Sequence, residues 1–358
     1  MQNVSSEMPT AVSTQNRQRW AMIGLLLALL AVFMLSLFVG SVRIPLDQIL
    51  GILVGATPER ETWTTIVLKF RLPKAVTAVL AGSALSVSGL QMQTMFRNPL
   101  AGPFVLGINS GASLGVALVV LAVGTGSTLL AGLGLLSDFG IVVAASLGAG
   151  LVLFLVLAVA RRVETMTLLI LGLMFGYATS ALVSVLLYFS IAERIQAYIA
   201  WTFGSFGGVT WRQMQVMAPA VLLGLAIAWL SAKPLNALLL GETYAQSLGL
   251  SVRRARLGVL VSASLMAGAI TAFCGPIGFV GVAVPHLCRS LFGTSNHRLL
   301  VPATILLGGI VALVADLLAQ LPGSQITLPL NAVTALIGAP VVTWVILRQR
   351  NLRSSFAG

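Results

Sequence analysis

Charge is what this sequence has least of. Asp, Glu, Lys and Arg make up 8% of its 358 residues, where a water-soluble chain carries about a quarter. Together with a 58% hydrophobic content, that shortage excludes a soluble globular protein. Lysine is confined to Lys69, Lys74 and Lys233, and no GxxxxGK[ST] segment surrounds any of them. No P-loop can therefore cradle a phosphate, and the chain is not expected to hydrolyse nucleotide by itself. The two histidines, His286 and His297, have no carboxylate or cysteine at metal-ligand spacing, and HExxH and GxSxG are missing too. A metal site and a membrane enzyme both become poor readings. Cys274 and Cys288 stand in apolar stretches without CxxC spacing, which argues against a disulfide framework and for packing.

Long hydrophobic runs are abundant instead. A bilayer-crossing helix takes about 20 apolar residues, and the first such run begins at Trp20, after 19 polar residues without an apolar h-region. It reads as a retained first helix rather than a cleaved signal. Further helices are expected near 72–95, 102–123, 138–160, 166–190, 214–231, 256–274, 282–292, 300–320 and 328–347, with the first over 20–40. The fold class is thus all-α: a polytopic membrane protein of about ten transmembrane helices. Residues 1–19 form a polar N-terminal tail, 20–347 one transmembrane domain and 348–358 a basic C-terminal tail. The segment 282–292, held between Pro285 and the 293–298 loop, is too short to span and has to lie against protein. Short broken helices are a transporter feature.

The 21 Lys and Arg residues sit singly between hydrophobic segments, which suits membrane anchoring and not a nucleic-acid face. With the N-terminus in the cytoplasm, 14 of them fall inside and 7 outside. That bias places both termini in the cytoplasm. Spacings such as Gly111 to Gly115 and Gly172 to Gly176 put small residues on one helical face, where backbones can approach. Asp316 is the main acidic candidate for ion coupling; a helix-end carboxylate near the outer interface is the simpler reading.

The most informative loop runs over 233–256 as KPLNALLLGETYAQSLGLSVRRAR. Gly241 and Gly249 supply turns, and Glu242 to Leu248 makes a turn or two of helix between them. Such a loop can present a small rigid helix to a soluble partner. Its Arg253, Arg254 and Arg256 can equally do no more than fix orientation.

These residues resemble the FecCD family, the permease subunits of bacterial ATP-binding-cassette importers for iron-siderophores, haem and cobalamin. The likeness rests on RLPK at 71–74, SGLQMQTMFRNPLAGPFVLGINSGA at 88–112, GSFGGVTWRQ at 204–213, GETYAQSLGLSVRR at 241–254, GPIGFVGVAVPHLCR at 275–289 and LPLNAVTALIGAP at 328–340. The resemblance implies a permease in the bacterial inner membrane that pairs with a second copy or paralogue. Two cytoplasmic ATPase subunits, which use the ATP and Mg, would join it, as would a periplasmic or lipid-anchored binding protein; the chain itself would hold no cofactor. A ferric siderophore is the first expectation for cargo, with haem or cobalamin as alternatives; a self-contained secondary transporter is the rival class.

By the same resemblance Gly241, Glu242, Ala245, Leu248 and Gly249 match the family's ATPase-coupling loop, and Arg71 and Lys74 a basic pair that meets the binding protein. Two positions depart from the pattern. Gln320 follows Asp316 where an Arg is usual, and Thr327 precedes Leu328 and Pro329 where many members carry Glu. Polar Gln91, Gln93, Asn98 and Asn109 flank a stretch interrupted by Pro99 and Pro103. Either they satisfy backbone freed by the prolines, or some of them, with Met92, Met95 and Ser110, lie along a translocation route.

Overall fold

The computed structural model describes residues 11–121, 138–160, 162–320 and 327–354. Residues 1–10 and 355–358 of the two tails, 122 and 123 of the expected 102–123 helix, and Arg161 of the inside set lie outside the described residues. Among the described residues all regular structure is helical. Seven helices are long and apolar enough to cross a membrane, and Ile108–Val120, Val280–Phe292 and Leu330–Trp344 are shorter apolar helices. Together they match the expected ten.

Helix α1 is Ala11–Phe38, so the polar tail is already helical before Trp20. Two short helices follow that the hydrophobic pattern does not announce, α2 (Leu46–Leu53) and α3 (Glu61–Thr65). A π-helical stretch, Ile66–Arg71, joins α3 to α4 (Leu72–Met95). The expected 72–95 helix coincides with α4, and helical backbone runs into it without a break from Glu61. The next expected helix, 102–123, is split by Gly107 at φ 75° into a 3₁₀ turn, Pro103–Leu106, and α5 (Ile108–Val120). The chain continues through α6 (Asp138–Ala160), α7 (Thr165–Tyr188), the unexpected α8 (Ala192–Thr202) and α9 (Trp211–Leu230). Two short helices, α10 (Ala232–Leu239) and α11 (Glu242–Ser247), precede α12 (Val252–Cys274). Helices α13 (Val280–Phe292), α14 (His297–Ala319) and α15 (Leu330–Ser354) complete the bundle.

Helix α4 is the axis of one hydrophobic cluster, with α9, α12, α13 and α14 packed around it. Pro73 sits in its first turn, where a missing N–H leaves no ladder bond unmade. Its faces are built from Ala75, Ala78, Ala81, Gly82, Ser83 and Ala84, all buried, so neighbours come to backbone contact. A Cβ on Gly82 would lie 2.0 Å from the Gly308 carbonyl oxygen of α14, and one on Gly308 2.4 Å from the Gly82 oxygen. No rotamer relieves such a clash, because the obstacle is backbone. The second cluster is built on α5 and α6 in the same way, with Gly111 and Gly148 facing each other's carbonyls and Gly115 against Ala144. Gly172 meets the Val105 carbonyl, whereas Gly176 has only the Ser110 hydroxyl nearby.

Helix α12 ends at Gly275 (φ 75°), and five residues later α13 begins. At the junction Phe279 has φ 64° and ψ −34°, closing a γ-turn in which Val280 N–H donates to the Gly278 oxygen at 2.8 Å. The Asn331 side chain of α15 accepts from Gly278 N–H at 2.9 Å and so satisfies this broken backbone. Val280, Ala283, Val284, Pro285, His286 and Cys288 of α13 are buried, which bears out the expectation that this helix lies against protein. Cys274 and Cys288 are both free and buried in the core, as packing residues are.

Candidate functional site

Three groups of residues were singled out by sequence: the 233–256 loop, the pair Arg71 and Lys74, and the polar and methionine positions between 91 and 110. They form separate neighbourhoods.

The loop is two short helices, α10 and α11, folded into a hairpin. Gly241 sets its corner with φ 117° and ψ 152°, a conformation open essentially to glycine, and a Cβ there would meet the Arg97 guanidinium at 2.8 Å. Helix α11 closes in a Schellman motif: Leu250 N–H donates to the Ala245 oxygen at 3.0 Å and Gly249 N–H to the Gln246 oxygen at 2.9 Å. Gly249 sits at φ 81°, with nothing within 4 Å of an added Cβ, so substitution there strains backbone without a clash. Ala245 is fully buried against Leu238 and Val252. It supports the helix from beneath and offers no surface, so a contact role for it is indirect. Apart from Ala245 the whole of α11 is exposed, and the large apolar side chains it presents are Tyr244 (51%) and, just after it, Leu248 (62%). Tyr244 was missed by the sequence reading, although an aromatic on a short polar helix is a recognisable signal of an interface.

Two clamps tie this hairpin to the bundle. Glu242 accepts from Arg256 of α12 at 3.0 Å, and Arg256 also donates to the Val163 oxygen at 3.1 Å. On α10, the Asn236 side-chain oxygen accepts from the His297 backbone N–H and lies 2.8 Å from His297 Nδ1. The other ring nitrogen, Nε2, is 2.8 Å from the Thr94 hydroxyl near the end of α4. Because the oxygen of Asn236 is fixed by a backbone donor, His297 Nδ1 carries a proton toward it. The hairpin is thereby hydrogen-bonded to the starts of α12 and α14 and, through His297, to the end of α4.

Arg71 and Lys74 differ sharply. Arg71 is 9% exposed, and its guanidinium donates to the carbonyls of Leu37 at 2.7 Å, Phe38 at 3.1 Å and Val42. These include the last carbonyls of α1, which have no partner within that helix. Arg71 is thus a buried cap on the end of α1, and every described contact of its guanidinium is structural. Lys74 is ion-paired with Asp316 at 3.0 Å, and Gln320 donates to the same carboxylate at 2.8 Å. Asp316 is therefore neutralised inside the bundle, not a lone ionisable group facing a path. Lys74, Asp316, Gln320 and Thr327 line one cavity of 430 Å³ with Phe203, Phe206 and Leu330. The two positions that depart from the family pattern thus converge on the ion pair.

The third group is mostly interior. Met92 is wholly buried, while Met95 lines a 330 Å³ cavity with Phe96, Met166, Leu238, Glu242 and Arg256, directly behind the loop hairpin. Gln93 bridges elements, donating to the Val282 oxygen at 3.1 Å and accepting from Arg289 at 2.6 Å. Asn98 accepts from Leu100 N–H at 2.9 Å, the local capping role. Gln91 accepts from Ser262 at 3.2 Å, but its Nε2 is buried without a partner among the described residues, as is Asn109 Oδ1. Ser110 is half-buried, with its hydroxyl against Gly176. Ser86, Ser264 and Thr271 add further unpartnered buried hydroxyls on α4 and α12. Buried polar atoms are seldom left unpaired in a static core.

A bundle of ten apolar helices, broken at α12–α13 and clamped to a two-helix hairpin, is the frame of a transport subunit, and residues 27–348 match the FecCD transport family. The chain belongs to the FecCD transport family. It is 38% identical over 348 residues to the vitamin B12 import system permease protein BtuC of Klebsiella pneumoniae, covering 97% of this chain and 99% of that one. With the protein of the same name from Escherichia coli it shares 37% identity over 347 residues, covering 96% and 100%. Among solved structures it is similar to an ABC transporter described as of metal-chelate type in an inward-facing conformation, with a TM-score of 0.79 and 29% identity over 92% of this chain and 99% of that one. This FecCD protein is accordingly a multi-pass permease of an ABC importer in the inner membrane, and ATP hydrolysis falls to separate subunits.

Proposed function

We propose that this permease carries cobalamin. The expectation of a ferric siderophore gives way to the alternative, because the similarity to two vitamin B12 permeases runs end to end at 37–38% identity. That single observation carries the substrate reading; the metal-chelate transporter is less similar, at 29%. A secondary carrier is disfavoured physically, since Asp316 is held by Lys74 and Gln320 and has no freedom to relay ions.

In this reading both termini and the 233–256 hairpin lie in the cytoplasm, two copies enclose the path, and Tyr244 and Leu248 press on the ATPase. Movement of α11 would pull on α12 through Glu242–Arg256, and movement of α10 on α14 and α4 through Asn236, His297 and Thr94. The cavity beside Met95 gives the hairpin room to shift, and the unpartnered hydroxyls of α4 and α12 would find water in the open state. At the opposite end, Lys74 would be the partly exposed cation of the binding-protein surface, with Arg71 one turn away holding the end of α1.

Isolation of the complex with its binding protein, followed by identification of the ligand released on denaturation, tests the cargo. Recovery of a corrinoid supports the proposal. Recovery of a ferric siderophore or haem would return the assignment to the wider family.

A further inference from the structure

Beside the loop hairpin, on the outside of the bundle, lies a cavity of 580 Å³ lined by Phe154, Leu157, Ala158, Arg162 and Arg253. Its chemistry is divided. One wall is the last two turns of α6, a helix of which only 33% is buried, and Phe154 on that wall is 68% exposed. Apolar groups so placed belong in the acyl region of a membrane. The other wall is two arginines just beyond the apolar run: Arg162 follows the end of α6, and Arg253 stands in the first turn of α12.

Both arginines are exposed, and neither has a hydrogen-bonded or ion-paired partner among the described residues. Among the described residues no acid lines the cavity, and the first turn of α12 has none either. Their neighbour Arg256 is spoken for by Glu242 and Val163. Its hold on the Val163 carbonyl keeps the 162–163 turn against the start of α12, so both cations stand at the rim of the same apolar slot. Charge complementarity selects the occupant: a molecule with a negative head at the depth of the arginines and hydrocarbon along Phe154 and Leu157.

We infer that this cavity is a binding site for one anionic phospholipid, its phosphate on Arg162 and Arg253 and its acyl chains against α6. Basic pockets between transmembrane helices recognise anionic headgroups by this combination. The lipid would brace the turn that Arg256 grips, and so the root of the Glu242 clamp. The inference does not depend on which cargo the permease carries.

The test is native mass spectrometry of the full chain in mild detergent, titrated with phosphatidylglycerol, with phosphatidylcholine, and with soluble glycerol phosphate as competitor. Phosphatidylglycerol is expected to occupy one site tightly, with phosphatidylcholine at least about tenfold weaker and no displacement by equimolar glycerol phosphate. An arginine near an anionic surface is worth about fivefold in affinity, so R162Q/R253Q should weaken that site about thirtyfold. R254Q, outside the cavity lining, should leave it unchanged. Equal affinity for the two lipids by the unaltered chain would overturn the inference without any variant. So would full retention in R162Q/R253Q, displacement by glycerol phosphate, which marks a free phosphate site, or cross-linking of two copies through F154C, which marks a subunit interface.

Discussion

Replacing Arg71 separates two roles that the sequence alone leaves merged. If the guanidinium is the buried cap of α1, Arg71→Ala strips donors from the Leu37, Phe38 and Val42 carbonyls at once. A hydrogen bond to a charged group contributes about 1.5–3 kcal/mol, and a buried acceptor left unpaired costs about 1–3 kcal/mol. The three acceptors share one donor group at a helix end, so their losses are not independent; about 3–5 kcal/mol in total is the reasonable figure. Gly40 adds a steric reason for the fit, since a Cβ there would lie 2.7 Å from the guanidinium. Heating the purified chain in detergent and following monodispersity should show a melting temperature lower by about 10 °C. Arg71→Lys, which keeps the charge but not the fork of donors, should fall in between. Lys74→Ala should cost less than Arg71→Ala, about 1–3 kcal/mol, because it leaves the buried Asp316 carboxylate with Gln320 to serve it. Unchanged melting of Arg71→Ala, with weaker and less salt-sensitive association of the binding protein, would refute the capping argument and restore Arg71 as a docking residue.

Tyr244→Ala and Leu248→Ala should each lower permease-stimulated ATP hydrolysis at unchanged melting temperature, whereas Ala245→Leu, at a fully buried site, should lower both. Gly82→Leu, with a Cβ 2.0 Å from the Gly308 oxygen, should cost more than about 4 kcal/mol and abolish accumulation in the membrane. Gly24→Leu, with nothing within 4 Å, should accumulate normally. A cysteine at Met95, beside the cavity behind the hairpin, should react with a water-soluble thiol reagent in one nucleotide state and be protected in another. At the wholly buried Met92 it should stay unreactive in both, and equal labelling of the two would remove the distinction.

The apolar runs made the spanning helices legible because each had to be long, uncharged and separated by polar residues. The same reasoning missed α2, α3 and α8, whose short lengths leave no hydropathy signature. It placed α4 at its observed bounds but not the helical backbone leading into it, because Lys69 and Arg71 break the apolar run while the backbone continues through a π-helical stretch. The hairpin was legible from Gly241 and Gly249, since φ values of 117° and 81° are what those glycines are for. Which residues of α11 face outward was not, because a helix of six residues fixes its buried side only through contacts with α10 and α12. The pairing of Lys74 with Asp316 spans two helices far apart in sequence, and no local pattern encodes it. The contacts of Arg71 were hidden for a related reason. A basic residue at the head of a helix looks exposed until α1 is seen to end on it.

In the proposed function, cobalamin movement is driven by ATP and transmitted through the 233–256 hairpin. Its most direct test is uptake of labelled cyanocobalamin into proteoliposomes holding this permease, its ATPase subunits and its binding protein, compared with the same assembly carrying Tyr244→Ala and Leu248→Ala together. Uptake is expected to require ATP on the ATPase side, to be indifferent to ion gradients, and to be lost in the double variant although the complex remains folded. Uptake that persists without ATP, follows an ion gradient, or survives the double variant unchanged would contradict the proposed function.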